Sequence, residues 1–105
     1  MKGHKKQMTT EKNLNQRAKT HGDFSEFAIT ARLLKGNVAL RLKQNQKALN
    51  DTQSEALDMI LHKIARIING NPNEIDHWRD IAGYAELVVR ELERHNTQNW
   101  SIIKE

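Results

Sequence analysis

Residues 51–92, DTQSEALDMILHKIARIINGNPNEIDHWRDIAGYAELVVREL, decide the fold. In the first half of this stretch, large apolar residues recur at spacings of three and four, which is the period of an amphipathic helix. These residues are Leu57, Ile60, Leu61, Ile64, Ile67 and Ile68. Thr52 with Glu55 predicts a capping box at the start of the helix. Asn69-Gly70 predicts its end, with Gly70 in the left-handed capping position, and Pro72 marks the turn that follows.

The second half of the stretch predicts another helix, over roughly 75–95. Its apolar residues keep the helical period, and we assign them all to the core. They are Trp78, Ile81, Ala82, Ala85, Val88, Val89 and Leu92. Asn73 or Asp76 is expected to cap this helix, and Gly83 is interpreted as a close contact with another helix. Because the link between the two helices is short, they are predicted to form an antiparallel hairpin.

A third helix is predicted on the N-terminal side of the hairpin, beginning near Asp23. Asp23 and Glu26 have the spacing of a capping box, and an apolar stripe follows at helical period. The stripe consists of Phe24, Phe27, Ala28, Ala31, Leu34 and Val38. Gly36 interrupts the pattern, and is read either as a break or as a close approach to another helix.

The fold class is therefore predicted to be all-α, with three principal helices and a central antiparallel helix hairpin. Residues 1–19 show no sustained apolar period and are predicted to form a mobile basic tail. Residues 20–95 form the helical domain. Residues 96–105 carry Trp100, Ile102 and Ile103, which we expect to dock on the domain or on a partner subunit. The apolar stripes of the three helices, together with the apolar C-terminal residues, have more area than one small bundle can bury. A homodimer or higher homo-oligomer is therefore expected.

Composition narrows the class of protein. The chain has 105 residues, enough for one domain. It has no cysteine, which excludes disulfides, thiol nucleophiles and cysteine-based zinc sites. There is no apolar run of the roughly 20 residues that span a bilayer, and no apolar segment follows the basic N-terminus as in a secretory signal. We therefore expect a cytoplasmic protein without a membrane partner.

The net charge of +4 is distributed unevenly. Residues 1–47 contain eleven Lys or Arg and three acids, whereas residues 48–105 contain six Lys or Arg and ten acids. A basic half can bind nucleic acid, and Lys2, Lys5 and Lys6 are candidates for phosphate contacts. The two halves can equally attract each other, within one chain or between chains, or the basic side chains can simply be solvated.

Polar residues on the hairpin are the main candidates for chemistry. Four of them share one face of the first hairpin helix: Glu55, Asp58, His62 and Arg66. Asp76, Asp80 and Tyr84 form a second polar row on the other helix. If these rows face each other, four carboxylates could bind magnesium, while Lys63 and Arg66 hold phosphate oxygens. The structural interpretation is that Asp76 caps a helix, Asp58 pairs with His62, and Asp80 is neutralised by Lys63, Arg66 or the Tyr84 hydroxyl.

Other catalytic classes find little support. No histidine pair has the four-residue spacing of a helical zinc site. The serines lack a nucleophile elbow, and there is no glycine-rich phosphate loop. His62 and His77 are of interest because they lie on opposite sides of the predicted hairpin.

Three motifs resemble a family of small phage and prophage proteins of unknown function. They are His21-Gly22-Asp23-Phe24, His62-Lys63-Ile64-Ala65-Arg66 and Asp76-His77-Trp78-Arg79-Asp80-Ile81-Ala82-Gly83-Tyr84-Ala85. The resemblance covers about residues 20–92, and its third motif is the most specific because it spans ten positions. It implies a small phage-type protein that acts by binding or assembly, and it implies no particular activity.

The hairpin is also distantly similar to the MazG-type all-helical nucleotide pyrophosphohydrolases. That resemblance implies magnesium as cofactor and a nucleotide as substrate, with Glu55, Asp58 and Asp80 among the metal ligands and Asp76 as the nearest substitute for a further acid. Two departures stand out. The second acid of the usual Glu-x-x-Glu pair is Asp58, and His77 stands where an acid precedes Asp80 by three positions. The same resemblance also implies, as an alternative to the enzyme, a degenerate relative that binds a nucleotide or only keeps the fold. Apart from the enzyme, no cofactor is expected.

Overall fold

The computed structural model describes residues 2–104, with side chains for residues 10–17, 19 and 21–96. It is all-helical, as predicted, and residues 2–104 contain no strand. The four helices are α1 (Lys2–His21), α2 (Phe24–Gln44), α3 (Asp51–Asn69) and α4 (Ile75–Lys104). None of the described helices has the combination of length and apolar character needed to cross a lipid bilayer.

The hairpin predicted from the sequence is formed by α3 and α4. Near the connecting turn, Lys63 of α3 contacts Asp80 of α4. Farther from the turn, Ala56 of α3 and Val88 of α4 line one shared surface hollow. The helices therefore run antiparallel. Helix α3 is central, since it packs against α1, α2 and α4.

Helix α1 replaces the tail that the sequence predicts for residues 1–19. The prediction rested on the missing apolar period, but strong helix formers such as Lys, Gln and Glu sustain a helix without one. At the other end, the predicted boundary after His95 is absent, because α4 runs on to Lys104. The side chains of Trp100, Ile102 and Ile103 lie outside the described residues, so their docking stays a prediction.

Two helix starts differ in detail from the predicted capping. Asp23 is the N-cap of α2, as predicted, but its carboxylate accepts hydrogen bonds from the backbone and hydroxyl of Ser25, at 2.8 and 2.6 Å. The capping box of α3 is formed by Asn50 and Gln53, two residues before the predicted pair. An amide oxygen caps as well as a hydroxyl does, so both pairs fit the pattern and the chain uses the earlier one.

The glycines also correct the sequence analysis. Gly70 is the C-cap of α3 with φ −123°, which is not left-handed. Helix α2 continues through Gly36, and a Cβ at Gly36 or Gly83 would meet no atom within 4 Å. Neither residue therefore marks a close helix contact within the described part of the chain.

The buried core is small. The buried apolar residues are Ala31, Ala56, Leu61 and Ala65, and His77 is buried with them. Trp78, which we assigned to the core, is 53% exposed, and its indole nitrogen donates to the Pro72 carbonyl at 2.8 Å. Other large apolar side chains of α2 and α4 are exposed as well, including Ile29, Leu33, Val89 and Leu92. The described part of one copy therefore leaves much apolar surface uncovered.

Candidate functional site

The three motifs singled out in the sequence converge at one end of the helical domain. His21 ends α1, and its ring lies 5.1 Å from the ring of His77 at the start of α4. The α3 residues His62, Lys63 and Arg66 lie between these helices and α2. Residues more than 40 positions apart thus form one cluster, which makes this end of the molecule the candidate site.

The turn between α1 and α2 fixes the position of His21. Gly22 has φ +84°, a left-handed conformation that side chains disfavour. It packs directly on the backbone of Asn69 at the end of α3. The Asn69 amide donates to the Thr30 hydroxyl of α2 and to the Ala65 carbonyl, both at 2.9 Å. This polar link joins α2 to α3 next to the turn, so the site is built on fixed backbone.

His21 and His77 form the inner part of the site. His77 is only 1% exposed, and the Nδ1 atom of His21 is buried with no hydrogen-bond partner. Burial lowers the pKa of His21, and the positive charge of Arg66 and the neighbouring His77 lower it further. Desolvation disfavours the charged imidazolium, so His21 is held in its neutral form at pH 7.

Aromatic and cationic side chains form the outer part of the site. The Phe27 ring meets His62 edge-on at 5.6 Å between ring centroids. The Arg66 guanidinium carbon lies 5.4 Å from the centre of the same ring, within cation–π range. Burial is the largest cause that lowers the pKa of His62, and the positive charges of Lys35 and Arg66 lower it further. The negative charges of Asp58 and Glu55 oppose this shift. Taken together, the charges near His62 disfavour its protonation.

A cavity of about 520 Å³ opens beside this cluster, between α1, α2 and α3. Its walls combine two guanidinium groups with aromatic and aliphatic side chains. The lining residues are Leu14, Arg17, His21, Gly22, Asp23, Phe24, Phe27 and Arg66. Ligand cavities usually measure about 300–1,000 Å³ and are mostly apolar with a few polar groups. This cavity has that size and that character.

The predicted phosphate-binding residues have different positions in the site. Arg66 lines the cavity. The Lys63 ammonium instead lies 2.8 Å from the Asp80 carboxylate, with the lysine side chain 14% exposed and the aspartate 46% exposed. The hydrogen bond from Lys63 lowers the pKa of Asp80. The structure therefore agrees with the structural interpretation of Asp80, in which Lys63 neutralises its carboxylate.

The predicted metal ligands are distributed over the two hairpin helices. Glu55 and Asp76 are exposed, and Asp58 and Tyr84 are half-buried. Among the described side chains, no three His, Asp or Glu residues form a group that could hold a metal ion. The magnesium site stays a prediction, and Tyr84 stays a predicted structural or site-lining residue.

Sequence reasoning did not assign Arg17 or His21 to the site. Arg17 belongs to the predicted tail, and only the helical continuation of α1 brings it to the cavity. His21 had a signal, since it opens the first of the three motifs. The packing of Gly22 on Asn69 is what joins that motif to α3, and no spacing along the chain indicates it.

Comparison with known proteins shows the family. The sequence profile of a Domain of unknown function (DUF6378) matches residues 8–92, a range that includes the cavity and all three motifs. Neither a curated protein nor a solved structure matches the chain significantly. Because the match extends over well more than half of the sequence, the chain belongs to the DUF6378 family.

Proposed function

We propose that this domain is a ligand-binding module that takes a phosphate-bearing small molecule of the nucleotide class. The observation that carries the proposal is the pair of guanidinium groups, Arg17 and Arg66, on one cavity with aromatic walls. Guanidinium groups form bidentate, charge-assisted hydrogen bonds with phosphate oxygens. Phenylalanine rings give a base a surface on which to stack. Phe24, which is 78% exposed, supplies such a ring on the same cavity, whereas the Phe27 ring already packs against Arg66.

The charge balance around the cavity supports an anionic ligand. Asp23 is the one acid among its lining residues, and its carboxylate already accepts two hydrogen bonds from Ser25. No ion pair between described side chains involves Arg17 or Arg66, so neither guanidinium is held by a carboxylate. His21 is neutral at pH 7, as its lowered pKa indicates, so the arginines supply the positive charge.

Calorimetric titration of the full chain with ATP, ADP, AMP and inorganic phosphate tests the proposal. We expect nucleotides to bind, and inorganic phosphate to bind more weakly because it has no base to stack. Arg66→Gln should weaken nucleotide binding about 10- to 100-fold, the range of one or two charge-assisted hydrogen bonds. Arg17→Gln should weaken it similarly from a different helix. Arg94→Gln, an exposed position on α4, is the matched control and should bind normally.

Two results would end this proposal. One is the absence of any nucleotide heat at millimolar concentration. The other is normal binding by both the Arg17 and the Arg66 variant. A melting-temperature measurement on each variant separates lost binding from lost folding, since Arg66 also packs on the Phe27 ring.

The second candidate function is magnesium-dependent nucleotide pyrophosphohydrolysis. It is favoured by the charges of Glu55 and Asp58, which both act on His62 and so lie on the side of α3 that faces the site. In this proposal Glu55, Asp58, Asp76 and Asp80 hold the metal ion. An assay for pyrophosphate release from nucleoside triphosphates with magnesium distinguishes the two candidates. Binding without release leaves the binding module, whereas release that Asp58→Asn abolishes establishes the enzyme.

The biological setting proposed for this module is the cytoplasm of a bacterium that carries phage or prophage genes. The support is the resemblance of the three motifs to small phage proteins. Transcript measurement before and after prophage induction tests it. A gene of this family inside a prophage should rise with its neighbours, and expression that is independent of induction would contradict the setting.

A further inference from the structure

The apolar stripe of α4 divides into two rows that lie on different sides of the helix. One row faces α3 and consists of His77, Ile81, Tyr84, Val88 and Glu91, all buried or half-buried. The other row is exposed throughout and consists of Ile75, Trp78, Ala82, Ala85, Val89 and Leu92. Helix α4 therefore carries an apolar face that the described part of its own chain leaves exposed.

The exposed row has a spacing of its own. Its members alternate steps of three and four residues from Ile75 to Leu92, which is the heptad spacing of positions a and d in a helix-to-helix seam. We refer to this row of six residues as the α4 seam. The two alanines at its centre would let a second helix approach closely, and the polar end of Trp78 is already hydrogen-bonded to Pro72. The seam has the composition of a helix-packing surface.

Within the described residues no helix packs along the seam, although Trp78 contacts the turn at Pro72 and Ala85 borders the hollow between α3 and α4. Helices α2 and α4 do not approach each other within residues 2–104, and α1 packs against α2 and α3. The segment 96–104, which the sequence analysis expected to dock, continues the axis of α4 itself. It therefore cannot fold back on the seam while it remains helical.

We propose that the α4 seam is covered by the α4 seam of a second copy of this chain, in antiparallel orientation. Charge complementarity points to this occupant. The exposed residues Arg79, Glu86 and Glu93 lie one position after the seam residues 78, 85 and 92, at heptad position e. Antiparallel pairing brings e positions of the two copies together, so that Arg79 of one copy faces the acids of the other. Parallel pairing would instead place each e position beside a g position of the other copy, so that Glu86 and Glu93 would lie beside Ile81 and Val88 and find no cation there.

The seam is short, with six positions over eighteen residues. An isolated coiled coil needs more heptads than this. Here each α4 is already held by α3, so two hairpins would join into a four-helix arrangement of the kind in which short seams suffice. The same patch on both copies gives the closed, two-fold interface that is commonest among homo-oligomers.

Sedimentation and site-directed variants of the full chain test whether the copies pair and through which face. The chain should sediment as a dimer at tens of micromolar. Val89→Lys places a charge in the seam and should weaken dimerisation by at least about 100-fold. Leu87→Lys is the matched control, since Leu87 lies on the same helix with 56% exposure against 43% for Val89 but outside the seam. It should leave the dimer intact.

Cysteine cross-linking tests the orientation and does not depend on how well the lysine variant folds. The chain has no cysteine of its own, so single replacements give a clean readout. In the antiparallel pair, Ile75 of one copy lies level with Leu92 of the other. Ile75→Cys and Leu92→Cys should therefore form disulfide-linked dimers only when the two variants are mixed. Cross-linking of each variant alone would show a parallel pair and overturn the orientation. A monomer at all concentrations, or a dimer that Val89→Lys leaves unchanged, would overturn the surface.

Discussion

Gly22 is the residue whose backbone the site depends on most directly. Its φ of +84° is unfavourable for any side chain. An added Cβ would overlap the Asn69 carbonyl oxygen and lie 2.6 Å from the carbonyl carbon. Both of these atoms belong to the backbone, so neither can rotate away. We expect Gly22→Ala to lower the free energy of unfolding by about 2 kcal/mol or more, from conformational strain together with steric overlap. Urea denaturation measures the change.

Gly36→Ala is the matched control for this prediction. Gly36 lies within α2, and a Cβ there would meet no atom within 4 Å. Alanine should stabilise the helix by about 0.5–1 kcal/mol. If both variants changed stability in the same direction, the special role of the α1–α2 turn would be refuted.

His21 and His62 make stability depend on pH. The pKa of each lies below the unfolded value of about 6.5, because burial and nearby cations disfavour the imidazolium. Between the lowered pKa and about 6.5, the unfolded chain binds more protons than the folded chain, so stability rises with pH. Their contribution is complete above about pH 6.5 and is lost as the pH falls through the folded pKa values.

We therefore expect the urea midpoint to fall between about pH 7 and about pH 5. His21→Gln should reduce the size of this fall. His95→Gln, at an exposed position near the end of the described part of α4, should show the same fall as the unmodified chain. A midpoint that is constant over this range would contradict the prediction.

At the scale of helices, the Lys63–Asp80 ion pair joins α3 to α4 near their turn. The Lys63 side chain is largely buried and Asp80 is half-exposed, so the pair lies between a surface and a buried salt bridge. Asp80→Asn should lower the free energy of unfolding measured by urea denaturation, because it leaves Lys63 without its counter-charge. Glu11→Gln, an exposed change within α1, should be near neutral. If the Asp80 variant and its control changed the free energy of unfolding equally, the ion pair would make no specific contribution to stability.

The hairpin itself could be predicted from sequence, and so could the helical class. The apolar period of α3 and α4 is strong, and the Asn69-to-Pro72 turn between them is short. The convergence of Lys63 with Asp80 also follows from pairing two helices about a turn. These features depend on contacts between helices that are adjacent in the sequence, and the spacing of apolar residues is enough to predict such contacts.

Other features depend on contacts that periodicity does not specify. Trp78 fits the core stripe of α4, yet it is exposed. The apolar stripe extends over two faces of the helix, and only one of these faces packs against α3. The cavity could not be predicted because Arg17 and Phe27 come from different helices whose packing is set by the Gly22 turn. Clustered acids are visible in the sequence, but the pairing of Asp80 with Lys63 is not revealed by a spacing argument.

At the scale of the whole molecule, the chain is extended for its length. The Cα radius of gyration is 19.3 Å, against about 13 Å for a compact domain of this size. Helices α2 and α4 lie on separate sides of α3 without approaching each other within residues 2–104. The acidic residues of α4 are therefore separated from the basic residues of α2, which leaves charge on both helices for other partners.

Nucleic acid is the partner that the basic half predicts, and salt dependence distinguishes it from a nucleotide in the cavity. If Lys2, Lys5 and Lys6 each contact one phosphate of duplex DNA, raising salt from about 50 to about 200 mM should weaken binding about 40-fold, by counterion release from three contacts. Fluorescence anisotropy with a labelled duplex measures the slope. Replacing these three lysines with glutamine should abolish the steep slope, whereas the same net change at Arg90, Arg94 and Lys104 should preserve it. Equal loss in both triple variants would mean that only net charge matters, and the absence of binding at low salt would remove nucleic acid as a partner.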